Sequence, residues 1–167
     1  MSRTDSSLTI EQLKELFAYE PFTGKVTRLK RTPKCSKAIG SEVGAIDDEG
    51  YRRAVVCGKY LAVHRLAWAL NNGAWPEGQV DHINGVRSDN RLANLRVVTP
   101  ALNSQNQRKA KRHSSTGLLG VHTSGKKFIA QIGVDRKVRY LGTFDDADSA
   151  HQAYLKEKRM VHEGCTI

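Results

Sequence analysis

Cysteine is scarce: the 167 residues contain three, Cys35, Cys57 and Cys165, far apart and with no Cys-x-x-Cys pair. A scattered, odd set argues against a disulfide framework and a structural zinc site, and fits a reducing compartment. Any metal is therefore expected on oxygen and imidazole ligands. Long apolar runs are missing as well, and none approaches the roughly 20 residues of a spanning helix, which sets membrane insertion aside. The start, MSRTDSS, is polar and no apolar segment follows it, so no secretory signal is expected and the cytoplasm is the expected place of action. Acidic residues are outnumbered, 17 against 27 basic, which leaves a formal charge of +10. That balance favours a polyanionic partner, nucleic acid ahead of a membrane surface. Paired stacking aromatics of the usual RNA modules are absent, so double-stranded DNA is preferred to RNA. The length suits one average domain or two small lobes, and no internal repeat relates the halves.

Residues Ile10, Leu13, Leu16 and Phe17 recur at helical spacing, with Thr9 and Gln12 placed for a capping box, which predicts a short helix over 9–18. The stretches YEPFTGKVTRL and GSEVGAIDDEGYRRAVVCGKYLAVHRL mix turn residues with β-branched and aromatic ones and predict short strands, with DDEG and CG as turns. Leu66, Ala67, Trp68 and Leu70 predict a helix over 64–70, stopped by Gly73 and Pro76. Residues 107–117, QRKAKRHSSTG, are basic and almost free of apolar side chains, as a linker is. Three β-type runs then precede a helix carrying Ala147, Ala150, Ala153, Tyr154 and Met160, with Asp145 or Asp146 able to cap it and Gly164 able to close it. The expected fold class is α+β, with a first lobe over 1–106, a basic linker over 107–117, and a three-stranded antiparallel sheet packed on one helix over 118–167.

The stretch VDHINGVRSDNRLANLRVVTPALNSQN sets Asp81 and His82 ahead of five asparagines, Asn84, Asn90, Asn94, Asn103 and Asn106. Phosphodiester hydrolysis needs a water stripped of a proton and a cation to offset the charge growing on the phosphate. A neutral histidine suits the first task. A hard divalent ion on a carboxylate and neutral oxygens suits the second. Adjacent residues of a strand face opposite sides, so Asp81 and His82 can divide the two roles. An amide oxygen ligates a hard ion without adding negative charge, a second asparagine can tie a loop through its donor and its acceptor, and Asn84-Gly85 reads as a tight turn.

These residues resemble the HNH, or ββα-metal, nucleases in the form found in phage and intron-encoded homing endonucleases. In that form an Asp-His pair opens the motif, an Asn within Asn-Leu-Arg follows twelve positions after the His, and a last Asn stands nine further on, matched here by His82, Asn94 and Asn103. AVHRLAW and GAWPEGQVDHING are also similar, so the likeness spans about 8–106, with its motif core at 60–106. It implies His82 as general base, Asp81 and Asn103 as ligands of one divalent ion, Mg²⁺ or Mn²⁺, and Asn94 as the asparagine that braces the loop and orients the histidine. Many members have His at the last ligand position, where this chain has Asn. The implied activity is DNA cleavage to 5′-phosphate and 3′-hydroxyl ends, by a monomer or a homodimer on DNA, in a bacterial host cell and phage-encoded or similar. It requires an imidazole open to its substrate and a carboxylate and an amide near enough to share an ion. A non-catalytic DNA-binding regulator is the competing expectation.

The last lobe, with GKKFIAQI, YLGTFD and an Ala-rich helix, is similar to the APETALA2/ethylene-response-factor DNA-binding domain. The resemblance implies a sheet laid in the major groove. Val121, Phe128, Ala130 and Ile132 would face the helix, leaving His122, Lys127, Gln131, Arg139 and Tyr140 as candidate DNA contacts, Gln131 being suited to adenine. Arg108, Lys109, Lys111 and Arg112 of the linker are candidate phosphate contacts, as are Arg65 and Arg96, for which a structural role is the alternative. His64 is expected to pack rather than react.

Overall fold

The computed structural model describes residues 8–31, 37–163 and 165–166, which leaves Cys35 outside. The fold is α+β, and the described residues form four α-helices and small antiparallel sheets. It divides into two compact units, Met1–Thr99 and Pro100–Ile167. The break thus falls ahead of the expected linker.

In the first unit, α1 (Ile10–Leu16) opens on a reciprocal cap, Thr9 Oγ1 accepting from Gln12 N–H and Gln12 Oε1 from Thr9 N–H. The helix stops two residues before its expected end, because Phe17 is already extended and begins β1 (Phe17–Glu20). The cross-strand pairing that begins at Phe17, set opposite Arg28, takes the place of the last expected turn. β1 pairs with β2 (Lys25–Arg28), setting Tyr19 opposite Val26. A second sheet runs β3 (Ala45–Ile46), β4 (Arg52–Val56), β5 (Lys59–Ala62), its turns held by Asp47, which accepts from the N–H groups of Glu49 and Tyr51, and by Cys57-Gly58. α2 (Val63–Asn72) buries Val63, His64, Leu66, Ala67 and Ala69 and ends at Gly73. With Leu13, Phe17, Val26, Val43 and Val56, the apolar members of that set, Val63, Leu66, Ala67 and Ala69, make the core of this unit. Leu66→Ala here should cost about 2–5 kcal/mol. β6 (Gln79–His82) and β7 (Leu95–Val98) form a separate hairpin in which Asp81 stands opposite Arg96 and His82 opposite Leu95.

The second unit begins with α3 (Pro100–Gln105), followed by β8 (Val121–Ser124), β9 (Lys127–Val134) and β10 (Lys137–Phe144) in the sheet order β10-β9-β8, and by α4 (Ala147–Val161). Asp146 caps α4, accepting from Ser149 N–H. Val121, Ala130 and Ala150 are its buried centre, with Phe128, Leu141 and Phe144 packed around them. A Cβ on Gly120 would lie 1.9 Å from the Tyr154 ring, so only glycine lets that ring close over the start of β8. Met160 departs from expectation, being 65 % exposed, while Lys158 is buried and its ammonium donates to the carbonyl of Gln107. A lysine stem covers apolar surface as well as a methionine does, provided its charged end finds an acceptor. No helix among the described residues is long and apolar enough to cross a membrane.

Candidate active site and DNA-facing surface

His82 ends β6 with its ring inside a cluster of rings. Its centroid lies 5.1 Å from that of His64, edge-on, and 6.0 Å from that of Tyr51. Asn90 Oδ1 lies 3.1 Å from His82 Nε2, and since an amide oxygen only accepts, Nε2 is the protonated donor. The ring is only 3 % exposed, which contradicts the open imidazole expected from the sequence. Burial is also the largest cause that takes its pKa below the ordinary imidazole range, opposed by the Asn90 bond and by the carboxylates of Asp81 and Asp89. The result is a neutral ring. A general base requires one water at hydrogen-bond distance from one nitrogen, and such catalytic hydrogen bonds often close only when substrate binds. His64 is pushed down to about 3, by burial first, and its Nδ1 makes no hydrogen bond among the described residues. It packs, as expected, and remains uncharged.

The loop between β6 and β7 is built from asparagines. Asn94 spans it, Oδ1 accepting from Asn84 N–H at 2.8 Å and Nδ2 donating to Asp89 O at 2.7 Å. Asn84 makes the tight turn, accepting from Val86 N–H and donating to Asp89 Oδ2. Asp89, gripped by Arg91, has its pKa lowered to about 2, with the Arg91 hydrogen bond as the leading cause. The amide on the His82 ring belongs to Asn90, not to Asn94 as expected. Asn90 gave no signal in the sequence beyond its presence in the cluster. What identifies it is tertiary: it is 2 % exposed, in a loop that is mostly exposed.

Asp81 is buried beside His82, and Arg96 donates to its Oδ2 from Nε at 3.0 Å and from Nη2 at 2.9 Å. The strand register makes this pair, since residues directly opposite in an antiparallel hairpin bring oppositely charged side chains together. Arg96 is thus engaged with a carboxylate rather than turned to a phosphate. Arg65 likewise donates to the carbonyls of Gly78 and Pro76, tying α2 to the segment that leads into β6. Among the described residues no three His, Cys, Asp or Glu side chains gather as a metal-holding group. Asn103 stands on α3, in the second unit. Asp81 supplies one hard carboxylate of the kind a hard dication binds, but its Oδ2 is already held by Arg96, so an ion there has to share or displace the guanidinium.

A cation outside the expected set also adjoins the ring cluster. The Arg87 guanidinium lies 4.7 Å from the Tyr51 centroid, donates to Glu49 O and depresses the His82 pKa through its charge.

In the second unit, strand pairing sorts the candidate contacts by face. His122 stands opposite Ile129, and Gln131 opposite Tyr140, on the side away from Ala130 and Ile132, with Lys127 on that same side of β9. Lys127 also pairs with Asp145, and the exposed Tyr140 hydroxyl meets Thr143. Arg139 belongs to the opposite side: it stands opposite the buried Ile132 and its guanidinium pairs with Glu157 of α4. Alternation along β10 makes the correction, because neighbours of Tyr140 must face the other way. In the basic stretch, Lys109, Lys111 and Arg112 are exposed, whereas Arg108 donates to Thr166.

Residues 61–105 match the family model described as HNH endonuclease. Neither a curated protein nor a solved structure matches the chain. Residues 61–105, which carry Asp81, His82, Asn94 and Asn103, are thus similar to the HNH endonucleases, and the likeness is confined to that segment.

Proposed function

We propose that the chain is a metal-dependent DNA endonuclease of homing type, hydrolysing phosphodiesters in double-stranded DNA to 5′-phosphate and 3′-hydroxyl ends. The observation that carries this reading is the pairing on β6 of a histidine held neutral by burial with the Asp81 carboxylate, inside a segment matching the HNH endonuclease model. His82 takes the proton from the attacking water. Asn94 keeps the loop closed behind it. The ion is Mg²⁺ or Mn²⁺, with Asp81 and Asn103 carried over from the resemblance as its oxygen ligands. When bound, a hard dication supplies charge for the developing phosphorane and for the leaving oxygen. Binding relies on the second unit, whose sheet face of His122, Lys127, Gln131 and Tyr140 lies along a groove, and on the exposed Lys109, Lys111 and Arg112, which lie along phosphates. A tethered second contact of this kind raises the local concentration of DNA at the cleavage site.

Two observations favour a second reading. His82 is 3 % exposed and Arg96 occupies Asp81, as in a silent lobe whose partner unit binds DNA as a regulator. Supercoiled plasmid with Mg²⁺ or Mn²⁺ separates the two. The endonuclease nicks or linearises it and His82→Ala binds without cutting; a wild type as inert as His82→Ala is the regulator's result.

A further inference from the structure

The amide at the His82 ring is part of a longer construction that begins outside the HNH-matched segment. Residues 90–92 are held at three points by the β1–β2 hairpin, some 70 residues upstream: the Tyr19 hydroxyl donates to Asn90 O at 2.8 Å across 71 positions of sequence, Leu92 N–H donates to Pro21 O at 3.1 Å, and Gly24 lies against the backbone of Asn90 and Arg91. A Cβ on Gly24 would fall 2.4 Å from Arg91 N and 2.6 Å from Asn90 C. The hairpin therefore sits closer than any other residue at position 24 allows. Asn90 itself is buried, so its side chain is not free to turn away to water.

We propose that Asn90, locked by the Tyr19 hairpin, is a positioning residue that keeps His82 as the Nε2–H tautomer and so places the lone pair on Nδ1, the nitrogen that receives the proton from water. A neutral imidazole exists in two tautomers, and whichever nitrogen donates to a fixed acceptor is the one that cannot act as base. Asn90 Oδ1 is such an acceptor, 3.1 Å from Nε2. Asn94 does not serve, since its two amide ends are taken by Asn84 N–H and Asp89 O. The hairpin makes the acceptor immobile. Tyr19 suits the task, since burial first, and then Asp89 and Glu20, push its pKa up to about 12, so the hydroxyl remains a donor throughout the working range. The HNH-matched segment thus depends on an element that lies before it in the chain.

This inference rests on the endonuclease reading for its catalytic meaning, but its first test does not. Nitrogen-15 NMR of the His82 ring, in metal-free protein at pH 8, distinguishes the two tautomers. Wild type is expected as Nε2–H. Asn90→Leu, of similar volume without an acceptor, is expected to mix the tautomers and to lower kcat roughly 10- to 100-fold with KM for DNA little changed. Asn90→Asp, which keeps an acceptor and cannot present an amide donor, recovers most of the loss, and Tyr19→Phe loses about threefold to tenfold through the loosened loop. An Nδ1–H tautomer in wild type overturns the inference, as does an Asn90→Leu protein with full kcat, or an Asn90→Asp protein no better than Asn90→Leu. Thermal melting of each variant shows whether it is folded. Should wild type cut no DNA while its tautomer still depends on Asn90, the endonuclease reading fails and the ring-positioning role stands.

Discussion

Two imidazoles and a phenol share one corner of the first unit, with ring centroids 5.1 to 6.0 Å apart, and two carboxylates stand behind them. The stability of that corner depends on pH through His64. The unfolded chain protonates this histidine near pH 6.5, the folded protein only at about 3, so folding is favoured fully above about 6.5 and loses ground as the pH falls towards 3. Each pH unit in that window costs up to about 1.4 kcal/mol from this group. Urea unfolding at pH 7.5 and 4.5 should show the loss, and His64→Gln should flatten it; an unchanged acid limb in the variant would refute the assignment. Arg96 gives a second expectation. Arg96→Ala strips Asp81 of two charged hydrogen bonds and should cost about 1–3 kcal/mol. Added Mg²⁺ should then raise the melting temperature of the variant more than that of wild type, and equal shifts in the two proteins would count against Asp81 as a metal ligand. At this scale the chemistry of the types was legible before the contacts were. That an amide can brace a loop through both ends is visible in the letters, and Asn94 has that geometry; that a different asparagine meets the ring depends on a hairpin folded from residues far upstream.

Among the elements, the β1–β2 hairpin carries a specific expectation at Gly24. Gly24→Ala must move backbone at Asn90 and Arg91 as well as strain a φ of +74°, so a loss of about 2–4 kcal/mol is expected. Gly58→Ala has a similar φ of +79° but nothing within 4 Å of its new Cβ, and should cost about 1 kcal/mol. Urea unfolding of the pair separates crowding from strain, and equal losses would mean that the hairpin is not held against the loop. Elements with a strong local period were readable from sequence: Leu66, Ala67, Trp68 and Leu70 predicted α2, although Val63 and Ala69 are buried there in place of Trp68 and Leu70, and the alternation of Phe128, Ala130 and Ile132 predicted the inner face of β9. The end of α1 was not, because Phe17 fits both periods and its pairing with Arg28, a residue outside the helix, decides between them. Arg139 was misjudged for a related reason: pairing to Glu157 shows its face, while composition shows only its charge.

For the whole molecule, the charge of +10 should appear as salt dependence. Each phosphate neutralised contributes a slope near −0.9 in log affinity against log salt. Replacing the exposed Lys109, Lys111 and Arg112 together by Ala should therefore reduce the slope by about 2–3, whereas Arg108→Ala, which breaks the tie to Thr166, should mainly destabilise the second unit. A DNA affinity flat between low and physiological salt contradicts this. The extent of the basic stretch was plain from composition; that its first residues join the second unit was not, since Lys158 and Thr166 reach them from the other end of that unit. The central claim remains chemical, that His82 is the base of a metal-dependent DNA cleavage. Supercoiled plasmid incubated with Mg²⁺ or Mn²⁺ tests it most directly: the account predicts nicked or linear product from wild type, none after chelation, and a His82→Ala protein that shifts the DNA in a gel without cutting it. Wild type and His82→Ala cutting at equal rates, or both binding and neither cutting, would contradict it.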